Sequence, residues 1–278
     1  MAASCGQWLL FTDADCRVSR NALSMAMREA LDKGVDFLSI APVLETRTVW
    51  EHVLQPACAA VLMSWFLPQR VNDAQKPTAY ANGAFMLMSR TCYETIGGHE
   101  RVRGQLNEDI GMARLAKERG LHLRLVENDD LYQTRMYDTL AAAWQGWSRI
   151  FYGCLQSLTR LLVTCGVLIA FCLGPWLGLL VAVAVRNSAA AESTAMWSMV
   201  AGVWAGALVL AQAAWWRVYG ILRMRPAWSL TYPVGALAAL GMLVHAMLKA
   251  TGATTTTWRG TTYREGAALE PVVGPGDD

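Results

Sequence analysis

Two carboxylates follow an apolar run early in the chain, in residues 8–15, which read WLLFTDAD. The run of Leu and Phe predicts a central strand that leads into Asp13 and Asp15. Open α/β sheets bind ligands at the carboxyl edge of their strands. Two hard oxygen donors at this spacing suit Mg²⁺ or Mn²⁺, which takes its other ligands from water and phosphate oxygens. The pair therefore predicts a divalent metal site for a nucleotide diphosphate, and a solvated turn or helix cap explains it equally well.

The elements that must position this pair form a strand, helix, strand unit. Ser19 is a predicted N-cap, and apolar residues follow it at helical spacing until Gly34. A second strand is predicted at residues 35–41, and another, at residues 122–126, closes the soluble domain. Such a unit implies a right-handed crossover in a parallel sheet. The predicted fold class is therefore α/β.

Further candidates for chemistry lie between these strands. Residues 80–88 predict a strand that the chain enters through the turn-forming pair Asn-Gly. Gly97-Gly98-His99 predicts a turn. Glu108 and Asp109 stand in the first turn of a predicted helix, where acids either complement the helix dipole or belong to a site. If Asp109 is a base at that position, the dipole favours its charged form, which predicts an ionised carboxylate at pH 7.

The second half of the chain has the composition of a membrane region. Hydrophobic residues make up 54% of the chain and charged ones 17%, and the charges fall mostly before residue 160. Three uncharged segments, residues 161–185, 195–216 and 226–248, match the ~20 residues that cross a bilayer. The formal net charge of +2 and the lack of a basic run argue against a nucleic-acid partner.

Arginine placement predicts the orientation of these spans. The first loop carries Arg186 and Glu192, whereas the second carries Arg217, Arg223 and Arg225. Loops rich in Arg and Lys stay on the cytoplasmic side. The second loop and the soluble domain are therefore predicted to be cytoplasmic, in a multi-pass protein of the cell membrane. The cysteine spacing indicates neither a zinc site nor a disulfide framework.

Two aromatic segments flank this organisation. Residues 49–67 are too interrupted by polar residues and Pro56 to span a bilayer, and they predict either a core helix pair or a membrane-surface helix that admits a lipid acceptor. Residues 139–158 place Trp144 and Trp147 near one helical face, which predicts an interfacial helix or an ordinary packing helix.

Taken together, these motifs resemble those of family 2 glycosyltransferases. The set comprises Phe-Thr-Asp-Ala-Asp at 11–15, Ala-Asn-Gly at 81–83, Gly-Gly-His at 97–99, Glu-Asp at 108–109, and the segments 135–137, 144–149 and 258–263. The later segments look like the membrane-bound subset that glycosylates carotenoid or hopanoid-type lipids. The resemblance implies a partial GT-A, Rossmann-like domain (residues 1–138), an interfacial helix (139–158), a three-helix transmembrane region (159–249) and a polar tail (250–278).

The resemblance also implies roles for individual residues. Asp13 and Asp15 would hold Mg²⁺ or Mn²⁺ on a nucleotide-diphosphate sugar, with a UDP-sugar as the expected donor. Asp109 would be the general base of an inverting transfer to a membrane lipid, and Glu108 would position it. Arg135 would contact the donor. Its spacing from Gln133 departs from the Gln-x-x-Arg-Trp motif of processive synthases, which weighs against a processive enzyme.

Alternatives remain at this stage. A GT-A domain begins with a nucleotide-binding half that precedes the Asp-x-Asp strand, so this chain is expected to lack that part and to leave a sheet edge uncovered. The chain is then either a glycosyltransferase with a misassigned start or an inactive, membrane-anchored fragment or accessory subunit. A phosphohydrolase of the haloacid-dehalogenase type also opens with Asp-x-Asp, but Cys16 and Arg17 follow here in place of its x-Thr or x-Val.

Overall fold

The computed structural model describes residues 4–128, 130–188 and 190–251, together with the backbone of three later strands. The strands are β1 (Trp8–Phe11), β2 (Arg17–Val18), β3 (Phe37–Ile40), β4 (Val43–Leu44), β5 (Met86–Ser89), β6 (Leu123–Val126), β7 (Tyr132–Thr134), β8 (Thr256–Trp258), β9 (Thr261–Arg264) and β10 (Ala267–Ala268). The helices of the first 156 residues are α1 (Ala22–Asp32), α2 (Val49–Trp65), α3 (Pro68–Val71), α4 (Arg90–Thr95), α5 (Gly98–Val102), α6 (Glu108–Glu118) and α7 (Leu140–Leu155).

The later helices form the apolar part of the chain. They are α8 (Leu158–Leu168), which continues through a π-helical segment (Ile169–Leu173) into α9 (Gly174–Ser188), then α10 (Ala191–Ile221), a 3-10 segment (Pro226–Thr231) and α11 (Tyr232–Ala250). The chain divides into two compact units. The first consists of Met1–Glu45, Leu62–Gln156 and Leu248–Asp278, and the second of Thr46–Val61 and Ser157–Met247.

The main sheet of the first unit is mixed, in the order β1, β5, β3, β6. β5 runs antiparallel to both of its neighbours, and β3 pairs in parallel with β6. The fold is α/β as predicted. The prediction of a parallel sheet is wrong, because the antiparallel strand β5 lies between β1 and β3. The central position predicted for the strand before Asp13 is also wrong, since β1 is an edge strand within the described part of the chain.

Burial on both faces explains why the edge strand reads as a central one. Leu9 belongs to the apolar cluster on one face of the sheet, and Phe11 packs against that cluster. Trp8 and Leu10 pack against the cluster on the other face, which also contains the alanines of α1. A strand covered on both faces has a continuous apolar run whatever its position in the sheet.

Alternating residues of the inner strands build these same two clusters. On β3, Phe37 enters the first cluster, whereas Leu38 and Ile40 enter the second. On β5, Met86 and Met88 alternate in the same way with Leu87. Side chains of a strand point to opposite faces with a period of two residues. The sheet therefore carries a core on each side and holds the strand ends in fixed positions.

Several predicted boundaries shift by a few residues. The N-cap position of α1 is Asn21 and not Ser19, whose backbone N–H donates to the carbonyl of Leu131. Residues 49–65 form the single helix α2, which continues through Pro56. The strand predicted at 80–88 begins only at Met86, because the preceding residues form a turn.

Two small sheets complete the described strands. The order of one is β2, β7, β4, and it joins the chain after Asp15 to the chain before Arg135. The order of the other is β10, β9, β8. In the predicted motif 258–263, Arg259 and Gly260 lie outside the described residues.

The structure has helices at all three predicted spans. They cover Leu158–Ser188, Ser193–Ile221 and Pro226–Ala250, and each is long and apolar enough to cross a membrane by length and composition. The predicted interfacial segment is the helix α7, with Thr139 accepting a hydrogen bond from the N–H of Ala142 at its start. The placement of α7 at a membrane surface stays a prediction.

Candidate active site

The Asp13-x-Asp15 segment forms a turn immediately after β1. The backbone N–H of Cys16 donates to the carbonyl of Asp13 over 3.3 Å, which closes the turn. The hydroxyl of Thr12 donates to the carbonyl of Ala84 over 2.9 Å, so the turn is fixed to a second loop of the same unit. Both aspartates are exposed. The predicted pair therefore stands at the end of β1, with its carboxylates open to solvent.

The second loop is the turn formed by Asn82, Gly83 and Ala84, just before β5. The side-chain oxygen of Asn82 accepts from the N–H of Ala84 over 3.0 Å. The backbone N–H of Asn82 donates to the hydroxyl of Ser39 over 2.8 Å. Ser39 is fully buried on β3, and its hydroxyl lies 3.2 Å from the carbonyl of Phe85, to which it donates. The core of the sheet therefore sets the position of this loop.

The Asp109 carboxylate contacts this loop directly. Its Oδ2 accepts from the backbone N–H of Gly83 over 2.9 Å, and its Oδ1 accepts from the N–H of Ile110 over 2.8 Å. Asp109 is half-buried, whereas Glu108 is exposed. Glu108 and Asp109 open α6 as predicted. The recorded hydrogen bonds that orient the Asp109 carboxylate come from backbone groups, and the positioning role of Glu108 stays a prediction.

Burial raises the pKa of Asp109 to about 6. The backbone hydrogen bonds from Ile110 and Gly83 oppose this rise in the pKa, and the negative charge of Asp13 adds to it. The sequence predicted that the helix dipole would favour the charged form, and that direction is wrong because desolvation outweighs it. A carboxylate with this pKa is still mostly ionised at pH 7. The effect of Asp13 on this pKa indicates that the two carboxylates lie near enough to interact electrostatically.

Two groups beside Asp109, the half-buried Tyr80 and the buried Cys154, were not among the predicted site residues. Burial raises the pKa of the Tyr80 hydroxyl, and the neighbouring Cys154 and Asp109 raise it further. Burial likewise raises the pKa of the Cys154 thiol, with Asp109 as the next cause. Both groups are therefore protonated at neutral pH, and Asp109 is the one of the three that titrates near neutrality. No local pattern in the sequence singles out Tyr80 or Cys154.

The N-terminus of α6 is held against α7. The side-chain amide of Asn107 donates to the sulfur of Cys154 over 3.2 Å. A Cβ at Gly153 would lie 2.7 Å from that amide, so only glycine permits this approach. The helix predicted to be interfacial thus also supports the turn that carries Asp109.

The Gly-Gly-His segment places an imidazole next to β1. Nδ1 of His99 lies 2.9 Å from the hydroxyl of Tyr93, and the His99 ring meets the ring of Phe11 edge-on, with 4.7 Å between centroids. Gly98 has φ +58°, and a Cβ there would lie 2.6 Å from the Tyr93 ring. Gly98 is therefore needed both for its backbone conformation and for the approach of Tyr93.

Arg135 follows β7, whose partner β2 follows the Asp13-x-Asp15 turn. Its guanidinium donates to the Asp138 carboxylate over 2.9 Å, and its side chain is only 22% exposed. β7 therefore connects Arg135 to the aspartate turn through the small sheet. A contact of Arg135 with a donor stays a prediction.

The carboxylate oxygens at the Asp13-x-Asp15 turn would fill only part of the coordination shell of a hard divalent cation. Among the described residues, no group of three His, Cys, Asp or Glu side chains could hold a metal ion. Asp13 and Asp15 alone would supply two oxygen ligands. Mg²⁺ commonly binds through one or two carboxylates and keeps water and substrate phosphates as its other ligands. The two exposed aspartates fit a cation that arrives with a diphosphate.

The order of these motifs, on an α/β sheet followed by three apolar helices, resembles that of a family 2 glycosyltransferase. The family comparison confirms this class, since the model described as Glycosyl transferase family group 2 matches residues 8–249, and the chain belongs to this family. The family supports a transferase that moves a sugar from a donor to an acceptor. The chain has no match among curated proteins.

Proposed function

We propose that this chain transfers a hexose from a nucleotide-diphosphate sugar, expected to be a UDP-sugar, to a membrane lipid, with inversion at the anomeric carbon. Residues 1–138 would be part of a GT-A domain, and the acceptor would be a carotenoid- or hopanoid-like lipid bearing a hydroxyl or carboxyl group. The observation that carries this proposal is the hydrogen bond from the Gly83 N–H to Asp109. This bond orients a carboxylate whose pKa is about 6, a value that the negative charge of Asp13 helps to raise.

Asp109 acts as the general base in this proposal. Its carboxylate accepts the proton of the acceptor hydroxyl while the oxygen attacks the anomeric carbon and the bond to the diphosphate breaks. A base works best when its pKa lies near the working pH, and a pKa of about 6 leaves most of the carboxylate ionised at pH 7. The N–H groups of Gly83 and Ile110 orient the carboxylate.

Asp13 and Asp15 would hold Mg²⁺ or Mn²⁺ at the end of the site that binds the sugar donor. When bound, the cation would supply positive charge to neutralise the leaving diphosphate. The hydrogen bond from Thr12 to Ala84 fixes the aspartate turn to the loop that orients Asp109. The distance between the proposed metal ligands and the proposed base is therefore maintained. Arg135 is proposed to contact the donor phosphates, because Arg suits phosphate geometry.

The proposed site works at the cytoplasmic surface of the cell membrane. Three helices that are long and apolar enough to span a bilayer follow α7 in the chain, which supports a lipid acceptor. The arginines at 217, 223 and 225 support a cytoplasmic second loop.

The direct test uses the purified chain in lipid nanodiscs made from a total bacterial lipid extract. We expect radiolabelled UDP-hexose and Mn²⁺ to give a labelled product that partitions into organic solvent. The anomeric proton coupling of that product should show a configuration opposite to that of the donor. Retention of configuration would contradict an inverting base at Asp109.

The outer edge of β1 favours a second candidate function. β1 pairs only with β5 among the described strands, so its other edge is open to pairing. In this candidate the chain is an accessory subunit or inactive fragment that acts only with another polypeptide. A folded chain that neither binds nor turns over any UDP-hexose would favour it.

A further inference from the structure

The first turns of α2 carry polar side chains that the site around Asp109 does not use. Residues 46–61, which include Gln55, belong to the second unit. Gln55 is completely buried, and neither its Oε1 nor its Nε2 bonds to any group in the described part of the chain. Buried side-chain polar atoms in proteins nearly always have a partner, because an unpaired one costs free energy. Gln55 thus points to a polar partner other than the described residues.

His52 lies one turn before Gln55 and also has a buried polar atom without a recorded hydrogen bond. Its ring stacks on Trp228, with centroids 4.9 Å apart and planes 11° apart. Its buried Nδ1 has no hydrogen-bond partner among the described residues. Burial lowers the pKa of His52, Glu51 opposes this, and Arg225 lowers it further. The ring is therefore neutral at pH 7 and offers one donor and one acceptor.

Two other polar groups of this segment have hydrogen-bond partners. The Glu51 carboxylate accepts from the backbone N–H groups of Arg47 and Thr48, each over 2.6 Å. The hydroxyl of Tyr219 on α10 donates to the carbonyl of His52 over 3.0 Å. These bonds hold the start of α2 in place. His52 and Gln55 thus lie on an anchored helix start, and their side chains can still form hydrogen bonds through Nδ1 of His52 and through Oε1 and Nε2 of Gln55.

We propose that His52 and Gln55 bind the hydroxyl group of a membrane lipid. A hydroxyl both donates and accepts, which matches an amide and a neutral imidazole. A phosphate or carboxylate only accepts, and would leave Oε1 of Gln55 facing negative charge. The second unit also contains most of the three helices that are apolar enough to span a bilayer, which supports a lipid as the source of the hydroxyl. This inference rests on the proposed function for the choice of a lipid, and it assigns to the second unit a binding site for a lipid hydroxyl.

The test measures lipid binding without any sugar donor. The full chain in phosphatidylcholine nanodiscs is titrated with hexadecanol and with hexadecyl methyl ether, and bound ligand is counted by native mass spectrometry. We expect at least a roughly tenfold preference for the alcohol, since the ether cannot donate to a buried acceptor. Gln55→Leu should remove the preference. Gln212→Leu is the matched control, because the Gln212 amide already donates to Ser229 over 2.7 Å.

Folding and function are checked separately. Gln55→Leu should melt at or above the wild-type temperature, because leucine replaces an unpaired amide. His52→Phe keeps the stack on Trp228 and provides a second variant if Gln55→Leu does not fold. Equal binding of alcohol and ether by the wild type would overturn the inference and leave an ordered water as the partner. A preference that survives in both variants would also overturn it. Absent sugar transfer with the alcohol preference intact would count against the proposed function alone.

Discussion

The backbone N–H of Gly83 donates to Oδ2 of Asp109 over 2.9 Å, across 26 positions of sequence. This bond joins the turn before β5 to the first turn of α6. The same turn accepts the Thr12 hydroxyl at the carbonyl of Ala84, next to the paired aspartates. A single loop therefore coordinates the positions of the proposed base and the proposed metal ligands.

Replacement of Asp109 by Asn is expected to lower sugar transfer by roughly 10² to 10⁴-fold, because the amide cannot accept the proton. Donor binding should be largely preserved, since Asp13 and Asp15 remain. Initial rates at saturating UDP-hexose and calorimetric donor affinity would measure the two effects. Glu108→Gln is the control, because it removes a neighbouring exposed charge from the same helix start. Near-normal turnover in folded Asp109→Asn would place the base elsewhere.

The pH dependence of the metal-free protein follows from Asp109. Its pKa rises from 3.8 to about 6 on folding, so the folded state binds this proton more tightly than the unfolded chain. Its contribution to stability is therefore complete below pH 3.8 and is lost as pH rises through about 6. Carbon NMR of labelled aspartate should show the titration. Asp13→Asn should lower the pKa of Asp109, whereas an unchanged value would mean that the two carboxylates do not share a site.

Replacement of Asp15 by Asn is expected to weaken Mn²⁺ binding in the presence of UDP by at least about tenfold, because one anionic oxygen ligand is lost. Electron paramagnetic resonance of free Mn²⁺ would measure the affinity. Asp32→Asn provides the comparison, since Asp32 is an exposed partner of Arg28 on α1. Equal Mn²⁺ affinity in the Asp15 variant and the wild type would remove Asp15 from the metal site.

Replacement of Ser39 by Ala should disturb the site from a distance. The variant leaves the N–H of Asn82 without its acceptor in a part-buried position, which is expected to cost about 0.5–1.5 kcal/mol of stability. Displacement of the Gly83 turn should also lower turnover by roughly 10- to 100-fold. Thermal unfolding and initial rates would be compared with Ser24→Ala, which removes an exposed hydroxyl. A stable Ser39→Ala with normal turnover would show that the turn keeps its position without this bond.

The second loop of the membrane region is expected to face the cytoplasm. Cysteines introduced at Ala227, the second residue of the third span and next to that loop, and at Ala190, in the first loop, provide a matched pair of exposed positions. An impermeant maleimide added to intact cells should label Ala190→Cys and leave Ala227→Cys unmodified until the cells are opened. The reverse pattern would invert the predicted topology.

The sequence anticipated features that depend on neighbours along the chain. The three apolar spans follow from composition over roughly 20 residues, and the start of α6 at Glu108 follows from an acidic first turn. The position of β1 could not be read in this way. An apolar strand is produced by burial on two faces, and both central and edge strands meet that condition when helices cover the sheet.

The sequence by itself was enough to predict the family, the candidate acidic residues and the order of the motifs, because these depend only on residue types and their spacing along the chain. Only the tertiary structure decided that β5 lies between β1 and β3, and that the turn before β5 thereby reaches Asp109. It also decided that the pKa of Asp109 is raised. A helix dipole acts over one turn and is visible in sequence, whereas desolvation depends on every element packed around the carboxylate.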